Sequence, residues 1–272
     1  MHPGQEHINI DWYPPVLLVT AHELIAELED LVAHLQQHDL HAQVQSVVLQ
    51  ERFKQGAPAR VVWGDSIASC VVLENGLRFE VHPGAQQNAG LFLDMRPLRQ
   101  WLSTNSQGRN LLNLFAYTCS LSVAAMAGGA SHVTNVDMSK TSIKWGQLNH
   151  RINAQPLHKV TSIPHNLFKS WGRIRQFGRY DIIICDPPSR QRGSFDVEKN
   201  YPAVIKKISG LANDGADIFA TLNSPYLDRD FLLHRFQRYE PGCRLIGDFP
   251  ASPEFVDKYP ERALKICHFR YR

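Results

Sequence analysis

From residue 111 onward, short apolar runs alternate with stretches whose apolar residues return every three or four positions, the pattern of strands and amphipathic helices wound into βαβ units around a parallel sheet. The runs predict strands over 111–115, 132–136, 159–163, 180–185, 216–222, 243–248 and 263–270. Helices are predicted over 120–128, 139–153, 198–212 and 228–239, with Ser139 and Asp228 or Asp230 as N-caps. Only a Pro-rich segment, 249–261, separates the last two strands, so they are expected to form a reversed hairpin at the sheet's edge. Upstream the pattern differs. Residues 17–35 place Leu24, Ile25, Leu28, Leu31, Val32 and Leu35 at helical spacing and predict an amphipathic helix. Four β-rich runs follow at 44–49, 59–63, 67–73 and 77–81, the last two joined by Asn75-Gly76, a pair favoured in hairpin turns. The fold class is therefore α/β, with a small α+β domain over 1–85 and a larger domain over 86–272.

At 272 residues and 43% hydrophobic content the chain can bury one substantial core with a smaller appendage. The first seven residues have no basic segment followed by an apolar one, and no apolar run approaches bilayer length, so the expectation is a cytoplasmic protein without a membrane association. Five scattered cysteines, without Cys-x-x-Cys spacing, read as free thiols and not as a disulfide framework or a zinc site. His34, His38 and His41 can share a helical face, but no His-Glu-x-x-His pattern accompanies them, and solvated histidines are expected there, with no metal. The net charge of +3 permits a polyanionic partner without requiring one. Nothing in the pattern specifies an oligomeric state.

The chemistry gathers at the strand tips. Tyr180-Asp181-Ile182-Ile183-Ile184-Cys185 runs straight into Asp186-Pro187-Pro188, which sets a carboxylate and a rigid turn at the carboxyl edge, where open α/β sheets bind ligands. The first strand leads into Ala116-Tyr117-Thr118-Cys119-Ser120, a loop of small and hydroxyl residues opening a helix. It has neither Gly-x-Gly-x-x-Gly nor a Gly-Lys-Ser/Thr triplet, so a ligand without a pyrophosphate is favoured. Asp137, at the second tip, can accept from both hydroxyls of a ribose, although helix capping explains it equally well. Asn166 follows the third strand, where an amide can read an adenine edge or simply shape a turn. A ribose without a pyrophosphate fits S-adenosylmethionine.

Together, Gly90-Leu91-Phe92-Leu93-Asp94-Met95-Arg96, Asn113-Leu114-Phe115-Ala116-Tyr117-Thr118, Gly128-Gly129-Ala130, Val136-Asp137-Met138-Ser139 and Asp186-Pro187-Pro188 resemble the class I S-adenosylmethionine-dependent methyltransferases of bacterial large-subunit ribosomal RNA. The similarity is strongest to the guanine-N7 half of the bifunctional enzyme, with the cytosine-C5 enzymes as cousins. It covers residues 70–272, matches 1–69 loosely, and shows no counterpart of the RNA-binding PUA domain of many relatives. The resemblance implies a Rossmann-like class I methyltransferase sheet. It also implies cofactor contacts at Phe92, Arg96, Phe115, Ala116, Tyr117, Thr118, Asp137, Met138, Asn166, Leu167 and Asp186. Cys119 departs from a usual Gly, and Asn166 from a common Asp. No Cys stands in 220–225, where the cytosine-C5 enzymes carry their nucleophile, while Asn223 matches the guanine-N7 type, followed by the atypical Ser224-Pro225-Tyr226.

The expectation is methyl transfer to a nitrogen of ribosomal RNA, most of all guanine N7, with Asp186, Pro187, Pro188 and Asn223 holding the base. Arg190 and Arg192 are candidate phosphate contacts, and Tyr226, Phe195 or Tyr201 candidate stacking partners for a base drawn out of its stack. Methylation of a small molecule or a protein on the same fold, or a cofactor-binding RNA module without turnover, remain as alternatives.

Overall fold

Ile8, Ile10 and Trp12 alternate with Asn9 and Asp11, a period of two that produces a strand where the helical pattern was expected to begin further on. The computed structural model describes residues 7–191, 195–250, 252, 254 and 263–272, and the chain divides into two units, Met1–Phe92 and Leu93–Arg272. In the first, β1 (Ile8–Tyr13), β2 (Val16–Ala21), β3 (Ser46–Glu51) and β4 (Ala59–Gly64) form a sheet in that order, with α1 (Leu28–Gln37) connecting β2 to the parallel β3. Leu31 and Val32 of α1 pack on Val19, Ala21, Val47 and Leu49. A hairpin of β5 (Cys70–Glu74) and β6 (Leu77–Val81) turns at Asn75-Gly76, both with positive φ. The helix expected over 17–35 is thus only its second half. Val16 to Ala21 is a continuous apolar run between two paired strands, and such a run is a buried strand that periodicity alone does not distinguish from a buried helix.

The second unit opens with α2 (Arg96–Asn105), β7 (Asn110–Leu114), α3 (Ser120–Ala127), β8 (His132–Asp137), α4 (Lys140–Ile152), β9 (Val160–Pro164), α5 (Trp171–Arg175) and β10 (Tyr180–Cys185). It continues through the short pair β11 (Arg190–Gln191) and β12 (Phe195–Asp196), α6 (Val197–Ile205), β13 (Ala212–Leu222), α7 (Arg229–Tyr239), β14 (Cys243–Asp248) and β15 (Lys265–Tyr271). The seven-stranded sheet runs β14-β15-β13-β10-β7-β8-β9, parallel from β13 to β9, with β15 antiparallel to both neighbours as the expected reversed edge hairpin. Leu112, Leu114, Val136 and Ile183 face Ile174, Val204, Leu232 and Phe236 across one side. Toward α3 the chain closes so tightly that a Cβ on Gly128 would lie 2.6 Å from the Leu102 and Ser103 carbonyls of α2. The expected helix over 198–212 stops at Ile205, where Lys206 to Leu211 form turns that include Gly210, and Ala212 already starts β13. Among the described residues no helix is long and apolar enough to cross a membrane.

Buried Asp217 locks the middle of this sheet. One oxygen accepts from His268 Nε2 (2.7 Å) and Arg270 Nη2 (2.8 Å), the other from Arg109 Nη2 (2.7 Å), joining β13 to β15 and to the chain entering β7. Burial pushes the Asp217 carboxyl up, but the bonds from His268 and Arg109 and the charges of Arg109 and Arg270 outweigh it and hold it below its usual value. The depressed value favours the fold above the unfolded carboxyl's pKa of about 3.9, and that contribution is lost as pH falls through the lower folded value. Asp217→Ala is therefore expected to cost about 3–5 kcal/mol at neutral pH by leaving two guanidinium groups uncompensated. Urea melts of wild type and variant check this, and the gap between them should narrow below about pH 4.

Candidate ligand site at the carboxyl edge

The sheet order reverses between β7 and β10, which places the tips of β7, β8, β9 and β10 around one crevice. The loop after β7 is built with unusual backbone. Phe115, Tyr117 and Cys119 all have positive φ (60°, 46° and 62°), a region that costs a residue with a Cβ on the order of 1 kcal/mol or more. Hydrogen bonds hold it there. The Ala116 N–H donates to the Val136 carbonyl (3.0 Å), the Tyr117 N–H to Asp137 Oδ2 (2.9 Å) and the Cys119 N–H to the Ala116 carbonyl (2.8 Å). Asp137 Oδ1 accepts from the Ser139 N–H (2.8 Å), and Ser139 caps α4 by accepting from the Ser142 N–H (3.1 Å). One carboxylate thus fixes the loop on one side and a helix start on the other. Burial raises the Asp137 pKa, and the two backbone bonds oppose the rise.

Beneath the loop, Asn149 Nδ2 of α4 donates to the Thr118 carbonyl (3.0 Å) and the buried Cys119 thiol lies against Gly146. A Cβ at Gly146 would stand 2.3 Å from Cys119 Sγ. Deeper still, Ser122 donates to the Cys119 carbonyl (3.0 Å) and lies 3.0 Å from His150 Nε2, whose Nδ1 is 2.6 Å from Gln155 Oε1. Burial pushes His150 down to about 4, so at neutral pH it is an uncharged brace and not a proton carrier.

On the other side of the crevice, Asp186 Oδ1 accepts from the Thr221 hydroxyl (2.5 Å). Burial raises Asp186 to about 6, Thr221 opposes the rise and the charge of Asp94 adds to it. Asp94 is itself raised by burial, opposed by the charge of Arg99, whose side chain is fully buried in α2. Tyr201 shares its hydroxyl between the carbonyls of Cys185 (3.3 Å) and Thr221 (3.0 Å), which ties the β10 and β13 tips together.

Among the expected site residues, Phe115 to Thr118 and Asp137 are brought into one hydrogen-bonded unit, and Asp186, Pro187 and Pro188 line the next tip. Asn166 spends its side-chain oxygen on the Phe168 N–H (2.9 Å), and Leu167 is buried in the core. Met138, Asn223, Tyr226 and Arg190 are exposed. Arg96 is exposed and paired with Glu254 (3.1 Å), while Phe92 is exposed at the end of the first unit. Arg192 lies outside the described residues. Phe195, 3% exposed and edge-on to Phe115 at 4.9 Å, and the wholly buried Tyr201 are core residues, so neither is placed to stack on a base. Tyr226 is 92% exposed. Asp94, Arg99 and Thr221 were not singled out from sequence. The one visible signal was a polar residue inside the apolar run of β13.

A family profile described as S-adenosylmethionine-dependent methyltransferase matches residues 1–270, so the match includes the amino-terminal residues to which the motifs gave only a loose resemblance. The ribosomal RNA large subunit methyltransferase K/L of Colwellia psychrerythraea is 35% identical over 71% of this chain and 27% of that protein. Its counterpart from Vibrio cholerae is 30% identical over 83% of this chain and 32% of its own length. The chain thus spans about a third or less of these relatives. Among solved structures, a methyltransferase complexed with SAH superposes with a TM-score of 0.86 at 24% identity, over 97% of this chain and 71% of that one. A SAM-dependent methyltransferase from Agrobacterium tumefaciens superposes with a TM-score of 0.75 at 21% identity, over 97% of this chain and 87% of that one.

The fit of Cys119 against Gly146 yields a test that needs no ligand. Gly146→Ala is expected to cost about 1–3 kcal/mol in urea melts through overpacking, whereas adding Cys119→Gly should remove most of that cost. Additive effects of the two substitutions would mean that the loop and α4 are not in contact there.

Proposed function

The chain belongs to the S-adenosylmethionine-dependent methyltransferase family, and from that premise we propose that it methylates a base nitrogen of ribosomal RNA, most specifically guanine N7. The observation that carries the reading is the crevice itself: a strained loop anchored on Asp137 beside the Asp186-Pro187-Pro188 tip, in a chain similar to ribosomal RNA methyltransferases. Its donor set suits the cofactor. Carboxylates and amides line the tips, no Lys or Arg lies in the loop 115–119 to neutralise a pyrophosphate, and Asp137 keeps lone pairs beyond the two used by backbone N–H groups. Phe115, Ala116, Tyr117 and Thr118 would flank the cofactor, with Asp137 on its ribose and Asn166 and Leu167 at its adenine. Phe92, Arg96 and Met138 are further contacts of this reading, and Arg96 would first have to leave Glu254.

When bound, the cofactor supplies an electrophilic methyl that the exposed N7 lone pair of guanine can take directly, without loss of a proton and without a covalent enzyme adduct. The chain's task is then positioning. Asp186 accepts from base N–H donors while Thr221 keeps its carboxylate oriented, Pro187 and Pro188 hold the turn, and Asn223 offers both a donor and an acceptor. Tyr226 can stack on the flipped base, and Arg190 with Arg192 would contact phosphate. The thiols support a nitrogen target. Cys119, Cys185, Cys243 and Cys267 are buried, and burial raises all five thiols, Cys70 to about 11 and Cys243 and Cys267 to about 12, so thiolate is scarce at neutral pH. A cytoplasmic location follows from the proposed substrate.

Asp137→Ala is expected to weaken S-adenosylmethionine binding by about 2–3 kcal/mol in calorimetry, through loss of the ribose acceptor and of the loop's anchor. Unchanged affinity would remove Asp137 from the site. For the substrate, the protein is offered ribosomal RNA containing 5-fluorocytidine with S-adenosylmethionine, and products are mapped by mass spectrometry. The expected result is 7-methylguanosine with no trapped protein–RNA adduct. A stable adduct, 5-methylcytidine, or transfer only to small molecules or proteins would overturn the reading.

A further inference from the structure

The modest net charge conceals an uneven distribution. Between Met138 and Tyr180 the chain holds eight Lys and Arg and no Asp or Glu, leaving 21 Lys and Arg against 26 Asp and Glu elsewhere. This segment is one continuous part of the fold: α4, the edge strand β9, and α5, which together form the rim of the sheet beyond β8. All eight cations are exposed. Lys140, Lys144 and Arg151 fall at spacings of four and seven on α4, Lys159 leads into β9, and Lys169 and Arg173 follow it toward α5. Among the described residues, none of these six is in an ion pair with a carboxylate. The rim also begins at the site. Lys140 stands three residues after Asp137 and Lys169 three after Asn166. From the β10 tip to the β9 edge is three strand spacings, about 15 Å, a reach of a few nucleotides of an extended chain.

We propose that this rim is the track along which the phosphate backbone of the RNA substrate runs away from the methylated base. The inference rests on the RNA reading above and names the surface that carries it. Like-charged side chains held unpaired along one edge repel one another, and a polyanion removes that repulsion while releasing its own counterions, so binding should be strongly salt-dependent and indifferent to sequence. The remainder of the chain carries a net negative charge, which disfavours nucleic acid there.

The test compares three proteins: wild type, a variant with Lys144→Gln, Arg151→Gln, Lys159→Gln and Arg173→Gln, and a control with Lys206→Gln, Lys207→Gln, Arg238→Gln and Arg244→Gln. Binding to a ribosomal RNA fragment is measured over a range of salt concentrations, alongside S-adenosylmethionine binding and melting temperature. The rim variant is expected to bind RNA at least tenfold more weakly, with a salt slope reduced by about three, while cofactor affinity and melting stay within error and the control matches wild type. If wild type binds and methylates RNA while the rim variant does so equally well, the track is wrong and the RNA reading stands. If wild type binds no RNA, both fail. A rim that instead captures an acidic protein, with RNA affinity untouched by the four substitutions, overturns the proposal too.

Discussion

Asp137 is the point on which the candidate site depends. A single carboxylate at the tip of β8 receives one backbone N–H from the loop after β7 and another from the start of α4, so two neighbouring βα turns cannot move independently. The loop needs that tie. With Phe115, Tyr117 and Cys119 all left-handed, its conformation is one that a free chain would rarely visit, and a few hydrogen bonds to the β8 end compensate for the strain. Glycines would have relaxed this loop but left it floppier. Side chains that adopt the same backbone give a stiffer cradle, at the cost of packing demands one layer down, where α4 has a glycine opposite Cys119.

A second constraint acts across the crevice. Asp186 and Asp94 are each pushed toward protonation by burial, with buried Arg99 and the Thr221 hydroxyl as their compensation. Such an arrangement destabilises the fold around it, for a carboxyl held near 6 favours folding only in its protonated form and loses that contribution as pH rises through 6. Carboxyls raised in this way cluster at functional sites. The Tyr201 hydroxyl, shared between the β10 and β13 tips, supplies stability in the same place from below.

Much of the second unit was legible because parallel strands buried on both faces read as near-continuous apolar runs, and because Ser139 and Asp228 cap their helices as their residue types suggest. Val16 to Ala21 was misread for the same reason, since a buried run there looks equally like part of a helix. α2 was missed because its buried face, Leu98 and Leu102 with a buried Arg99 between them, carries a charge where a hydrophobe was expected. The tips Asp137 and Asp186 announced themselves as carboxylates ending apolar strands. Thr221 and the Gly146–Cys119 fit could not, since each matters only through a neighbour that the sequence places more than two dozen residues away, and Arg99 could not because its burial beside Asp94 is visible only in the fold. Net charge misled in another way, by averaging one basic edge with an acidic remainder.

The rim along β9 is also an open sheet edge, and unpaired strand edges invite a second copy of the same strand to add on. β9 spans only Val160–Pro164 and ends on a proline that has no N–H to offer. Cations stand on both sides of it. Two copies approaching edge to edge would therefore bring rows of like charge together, from a segment that contains no acid. The side chains that oppose pairing of this edge with itself are those proposed to meet the RNA backbone, so neither property can be changed without the other.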